Sequence, residues 1–466
     1  MTSAVVVGGG IAGLTAARGL ALSGFSVTVL EAGARVGGKL AGIELDGAEL
    51  DSGAESVLAR RPEAVQLIGE LGLGDRMVRP TEAKAQVFVD AQVRPLPPSA
   101  TGVPYDLDRL SGYLTPAGLE RARQEPDLPA PPLPGDVGIG NYVADRFGDE
   151  VTDRLLEPLL GGVYAGHSRE LSFAAVAPRL FEKARFGGSL LEHARPERPS
   201  PENPNGQGSD PVFAGLLGGV HGLVTSLQQD LEQRGVAVRT GVTVRELRRD
   251  ADGRFRLVCG PVPTPTTVTA DVVVLAAPAK PVGRLLSPLV GRPAEAYARV
   301  PYASMAVLTL VVSNAQLTGS GLLVPPGELP TIKALTFSSR KWDWVAATTT
   351  STWGEGVDVV RASVGRFGEA KLLQLDDDAL LARTFAEAKT LPGWGGSVLV
   401  AGQVQRWGGG LPQYLVGHTD LVADLRGAVD EVPGLAVCGA ALSGVGIAAC
   451  VGSAGAAVDK INSERN

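Results

Sequence analysis

Three glycines and one acid carry the most specific chemistry in the chain. Gly8, Gly10 and Gly13 stand in G-x-G-x-x-G spacing, with Gly9 inside the pattern and Ile11 and Ala12 between its last two glycines. A β-branched apolar run, Ala4 to Val7, precedes them, and a helical apolar pattern through Leu14, Ala17 and Leu20 follows. The segment is therefore predicted to be strand, tight turn and helix. Gly8 permits the turn, Gly10 lets a pyrophosphate approach the backbone, and Gly13 lets helix pack on strand. The helix N-terminus offers free N–H groups and positive dipole to phosphates. Glu31 follows eighteen residues after Gly13, at the tip of a second strand from Val27 to Leu30. A carboxylate there accepts hydrogen bonds from ribose hydroxyls and disfavours a 2′-phosphate. The reading is a dinucleotide site, not one for NADP.

Conventional catalytic machinery is sparse. Cys259, Cys438 and Cys450 contain no CxxC, and His167, His193, His221 and His418 are too scattered for normal ligand spacing. Neither a disulfide framework nor a metal site is predicted. His418 reads as a structural histidine rather than a general base. The formal net charge of −7 argues against an electrostatic grip on nucleic acid or on an anionic membrane face.

Further segments follow in a telling order. After the acid comes Glu31-Ala32-Gly33-Ala34-Arg35-Val36-Gly37-Gly38-Lys39, then Asp51-Ser52-Gly53-Ala54-Glu55-Ser56. Far along lie Gly161-Gly162-Val163-Tyr164-Ala165-Gly166, Arg406-Trp407, Pro412-Gln413-Tyr414 and Gly444-Val445-Gly446-Ile447. In this order they resemble the FAD-binding amine oxidase superfamily. The glycine string at 161–166 and the Arg-Trp and Pro-Gln-Tyr segments are similar to its protoporphyrinogen and coproporphyrinogen oxidase family.

That resemblance implies FAD held by Gly8, Gly9, Gly10, Ile11, Ala12, Gly13, Glu31, Ala32, Arg35, Gly38, Lys39, Gly53, Ala54, Glu55, Ser56, Val242, Trp407, Gly446, Ile447 and Ala448. It implies a substrate cavity touched by Arg61, Gly162, Val163, Gly166, Lys341 and Ser363, the last standing where relatives often have tyrosine. Ala448 and Ala449 occupy the place of a covalent attachment motif, so the flavin is expected to be non-covalent. The implied reaction is oxidation of coproporphyrinogen III to coproporphyrin III, with O2 as acceptor and H2O2 as product. Protoporphyrinogen IX is the alternative substrate, and an amine oxidase or desaturase is the second alternative. No catalytic side chain is assigned, because the flavin accepts the hydride. The implied setting is cytoplasmic, at most peripheral to the membrane, with transient contact to ferrochelatase, the next haem-pathway enzyme.

The elements that must position these residues are those of an α/β chain. A Rossmann-like FAD-binding unit is expected from residues 1–60, 212–300 and 396–466, and a mainly helical insert from 61–211 with a disordered loop at about 195–210. A substrate-binding mixed-sheet unit is expected from 301–395. The stretch from Glu125 to Pro134 reads as an extended loop. The 27 uncharged residues from Val432 to Val458 are long enough to span a bilayer. They are rich in glycine and alanine, and read instead as strand, turn and buried helix.

Overall fold

The computed structural model describes residues 1–196 and 212–465. The segment expected to be disordered thus lies outside the described residues, apart from Arg195 and Pro196. The opening valine run forms the strand Ser3–Val7, the middle of a five-stranded parallel sheet. Its order is Ala237–Arg239, Ser26–Leu30, Ser3–Val7, Val272–Leu275, Leu435–Val437, with Ala4 level with both Val27 and Val272. A parallel strand is covered on both faces, which is why this run is continuously apolar rather than alternating. Val6 enters a core shared with the helices Ile11–Leu22, Gly222–Gln233 and Ile447–Ser463. Val5 and Val7 enter a second core with the helices Ala279–Val290 and His418–Asp430.

A second sheet has seven strands, in the order Val398–Pro412, Tyr302–Ser313, Val357–Val364, Ile332–Phe337, Gly321–Leu323, Ala85–Val89, Gln92–Pro95. One face packs Leu308, Leu310 and Val360 against Leu380 of the helix Asp377–Ala388. The other carries Arg361, opposite Thr309 and Thr336, and Ser363, opposite Val307 and Ala334.

This sheet takes in two segments from outside residues 301–395. Ala85–Val89 and Gln92–Pro95 form a hairpin inside the stretch read as helical. Its two turn residues, Asp90 and Ala91, both have positive φ, as a type I′ turn requires, without the glycine that usually announces one. At the other end, Val398–Pro412 is a fifteen-residue strand along Tyr302–Ser313, although its sequence lies in the part assigned to the flavin unit.

The helical insert is concentrated between Pro116 and Ala194, around Phe147, Leu155 and Phe173. The expected loop from Glu125 begins on a fully buried carboxylate paired with Arg146 at 2.6 Å and accepting from Ser189 Oγ and the Leu190 N–H. The long uncharged C-terminal run folds as the strand Leu435–Val437, a short helix Ala440–Ser443 and the helix Ile447–Ser463. Among the described residues no helix is long and apolar enough to cross a membrane.

Candidate active site

At the turn after Ser3–Val7, Gly8 has φ +109°, and a Cβ there would lie 2.7 Å from the Ala276 carbonyl oxygen of the adjacent strand end. A Cβ on Gly13 would overlap the Gly8 carbonyl oxygen, so only glycine lets the helix start this close to the strand. Gly10 differs, because nothing lies within 4 Å of the place its Cβ would take. It is the N-cap of the helix Ile11–Leu22, provides no side-chain cap, and no acidic residue stands in the first turn.

Around this cradle the chain folds back twice. Glu31 Oε2 accepts from the Gly9 N–H and Oε1 from the Gly33 N–H, both at 2.6 Å, which fixes the carboxylate at the mouth. The Glu31 carbonyl accepts from the Val242 N–H at 2.8 Å, while Ala32 is exposed beside it. The Gly37 N–H donates to the Gly9 carbonyl, laying the loop of Arg35, Gly38 and Lys39 against Gly10. Arg35 donates to the Val36 and Gly38 carbonyls and lies over the Trp407 ring at 5.9 Å. Lys39 is largely withdrawn from water, and burial pulls its ammonium below the usual lysine range. Its ammonium has no hydrogen-bond or ion-pair partner among the described residues.

The next loop is pinned beneath. A Cβ on Gly53 would overlap the Lys39 carbonyl oxygen, and the Ala54 N–H donates to that same oxygen; half-buried Ser56 follows. Glu55 points away from the cradle into the sheet. It accepts from Arg361 Nη1 at 2.8 Å, Lys341 Nζ at 3.0 Å, and Trp342 Nε1 and Ser338 Oγ, each at 2.7 Å. Burial opposes its ionisation, but the Lys341 and Arg361 charges and these hydrogen bonds hold it well below the usual carboxylate range. Arg361 also donates to the Gly53 carbonyl.

The Glu55 carboxylate is engaged inside the protein, which leaves the backbone of this loop as the part open to a cofactor. The Lys341 charge is neutralised by Glu55, with its ammonium over the Phe213 and Trp342 rings, rather than free at a cavity rim. Sequence reading missed Arg361, which joins this loop to the sheet; an arginine among alternating valines on a strand was the available signal.

Opposite the first helix, Gly446 caps the helix Ile447–Ser463, again without a side-chain cap and with open space at its Cβ position. Ile447, Ala448 and Cys450 are buried in its first turn. Tyr414 fixes the approach: its hydroxyl donates to the Ala440 carbonyl and accepts from the Gly444 N–H at 2.8 Å. Its ring stacks on His418 at 4.1 Å. Burial holds His418 down at about 4, which suits a neutral packing group.

The remaining substrate-side residues are dispersed. Val163 lies in the last turn of the helix Glu157–Tyr164 and is half exposed, while Ser363 is partly buried on the sheet. A Cβ on Gly162 would touch Leu323, and one on Gly166 would overlap Gln413 Oε1, so Gly166 accommodates a side chain of this protein. Arg61 precedes the helix Pro62–Glu70 and is tied to Glu63 at 2.8 Å, half exposed.

The family model for flavin-containing amine oxidoreductases matches residues 11–462. The chain belongs to that family. Over 98% of this chain and 96% of the relative, it is 36% identical to a coproporphyrinogen III oxidase from Mycobacterium tuberculosis. It is 30% identical to one from Bacillus subtilis, over 97% and 96%. A crystal structure from Exiguobacterium sp. 255-15, assigned as a protoporphyrinogen oxidase, superposes with a TM-score of 0.83 at 30% identity, covering 99% of both chains. Putrescine oxidase, at 17% identity and a TM-score of 0.70, shares the fold.

This member of the flavin-containing amine oxidoreductases is an oxidoreductase, and its cradle fits the family's cofactor. Two uncapped helix N-termini with open glycines and a desolvated lysine without a partner among the described residues make a set of donors suited to a pyrophosphate, and the carboxylate at one mouth is an acceptor suited to a ribose.

Proposed function

We propose that the protein oxidises coproporphyrinogen III to coproporphyrin III, using non-covalently bound FAD and O2. Likeness at 36% and 30% identity over nearly the whole chain to enzymes named for that substrate carries this reading. The balanced reaction removes six hydrogens and converts three O2 to three H2O2. Bound flavin supplies the hydride acceptor and passes the electrons to O2.

The chain's own work is binding, orientation and exclusion of water. The Gly8–Gly13 turn and the Ile11–Leu22 dipole would hold the pyrophosphate, with Lys39 as counter-charge and Glu31 for the ribose. The N-terminus of Ile447–Ser463 would stabilise negative charge gathered by the flavin on reduction. Val163 and Ser363 would line the place of the macrocycle, Trp407, beside Arg35 and Gly53, would meet the flavin, and Arg61 would attract a propionate. With Cys450 buried and its thiol pushed up to about 11, a thiolate for flavin attachment is disfavoured. This agrees with a non-covalent cofactor and is checked by intact mass.

The deciding experiment gives the yellow protein coproporphyrinogen III and protoporphyrinogen IX in parallel, following porphyrin fluorescence and O2 uptake. Faster turnover of the tetrapropionate is expected. It would place the enzyme before iron insertion, at a step where contact with a cytoplasmic or membrane-peripheral ferrochelatase is useful. Preference for the dipropionate would favour protoporphyrinogen IX, the substrate in the name of a spinach relative at 27% identity. Turnover of neither would overturn the porphyrinogen reading in favour of an amine or desaturation substrate.

A further inference from the structure

Where the helix Glu157–Tyr164 meets the seven-stranded sheet, two cations are buried without adequate partners. Lys333, at the bulge between Ile332 and Ala334, is 2% exposed, and its ammonium makes no hydrogen bond. Arg366, just beyond the strand Val357–Val364, is 7% exposed. Its Nη2 donates to the Val324 carbonyl, but Nη1 has no partner. Gly161 leaves the room, since a Cβ there would overlap Arg366 Nη1. On the same helix and the turn after it, Glu157 Oε1 and Ser168 Oγ are also buried and make no hydrogen bond among the described residues. Buried polar atoms are almost always satisfied, and an unpaired buried charge is costlier still.

We propose that Lys333 and Arg366 form a buried site for one small monovalent anion, either free in solution or the carboxylate terminus of a bound tetrapyrrole. The charges facing the site set its stoichiometry. Arg366 feels Glu157 and Glu369, while Lys333 feels Arg366 and Glu369. Glu157 accepts from the Ser168 N–H on Oε2 at 2.6 Å and has His167 Nδ1 3.5 Å from Oε1, and Glu369 is mostly solvated. With Lys333 protonated, Lys333, Arg366 and Glu157 leave one positive charge unbalanced within the buried set. Burial, reinforced by Arg366, brings Lys333 down to about 7, so an arriving anion also draws a proton onto it. Above that pH, anion affinity falls about tenfold per unit.

The tetrapyrrole source rests on the function proposed above; the free anion does not. The test uses flavin-loaded wild type and Lys333→Met, with Arg366→Gln as a second variant should the first fail to fold. Thermal midpoints are read in formate and in chloride against gluconate at equal ionic strength, and coproporphyrin III and its tetramethyl ester are titrated by fluorescence. If the ligand is a tetrapyrrole carboxylate, coproporphyrin III binds about tenfold more weakly to the variant, while the ester binds both proteins alike. If it is a free anion, formate or chloride raises the wild-type midpoint by a few degrees and leaves the variant unmoved, with porphyrin binding unchanged. Wild type that binds no porphyrin but keeps its anion response would overturn the functional reading and support the site. No Lys333-dependent response in either arm would overturn the site.

Discussion

Glu31 is fixed at the mouth of the cradle by two short bonds: its oxygens hold the N–H groups of Gly9 and Gly33. On the proposed function the same carboxylate serves a ribose. Glu31→Ala is expected to lose flavin on dilution and gel filtration, cutting the absorbance ratio of flavin to protein several-fold; full occupancy after the column would contradict its role. Arg61 is the other residue whose contribution is separable. It is half exposed and already paired with Glu63, so its pull on a propionate is screened. Arg61→Ala should raise KM for coproporphyrinogen III by several-fold and barely alter that for protoporphyrinogen IX; equal effects on both would remove Arg61 from substrate recognition. The glycine motif and the acid were legible in the sequence because each depends on local backbone geometry. The fates of Lys341 and Glu55 were not, since they are separated by 286 positions and neutralise one another only after folding.

At the scale of elements, the loop of residues 51–56 is fastened to the seven-stranded sheet by Arg361, which holds both the Glu55 carboxylate and the Gly53 carbonyl. Breaking a buried ion pair by removing one partner typically costs about 3–5 kcal/mol, because the remaining charge stays buried. Here Lys341 remains beside Glu55, so Arg361→Met is expected to cost about 3 kcal/mol, read from denaturant midpoints, with weaker flavin retention. A variant as stable as the wild type would show that Lys341 alone suffices. Helix and strand types around the opening motif were legible from periodicity, whereas two pieces of the second sheet were hidden. Asp90-Ala91 makes a hairpin turn without glycine, and Val398–Pro412 carries four glycines that dilute its alternation. Both are strands because a partner strand is present, which composition alone does not reveal.

For the whole molecule, buried bases set the response to pH. His418 is neutral in the fold, with its pKa lowered from 6.5 to about 4 by burial. Between those values the unfolded chain binds the extra proton, so stability is intact above pH 6.5 and falls on acidification toward 4, by up to about 3 kcal/mol. His221 acts in the opposite sense: a hydrogen bond from its ring to Asp51 raises its pKa, so that contribution is full below 6.5 and fades as pH rises through the raised value. Thermal midpoints of wild type and His418→Gln from pH 7 to 4.5 should show a shallower acid loss in the variant. Parallel curves would mean that His418 does not control it.

The sequence by itself determined the cofactor cradle and the class of chemistry. Turn, helix start and acid are encoded within 31 consecutive residues, and their physics is local. Only the tertiary structure decided which charges remain available. Lys341 is neutralised by Glu55, and Gly166 admits Gln413, while Lys39, Lys333 and Arg366 Nη1 make no hydrogen bond among the described residues. An ionised side chain acquires its energy from the dielectric and the opposite charges around it, and these are set by residues distant in sequence.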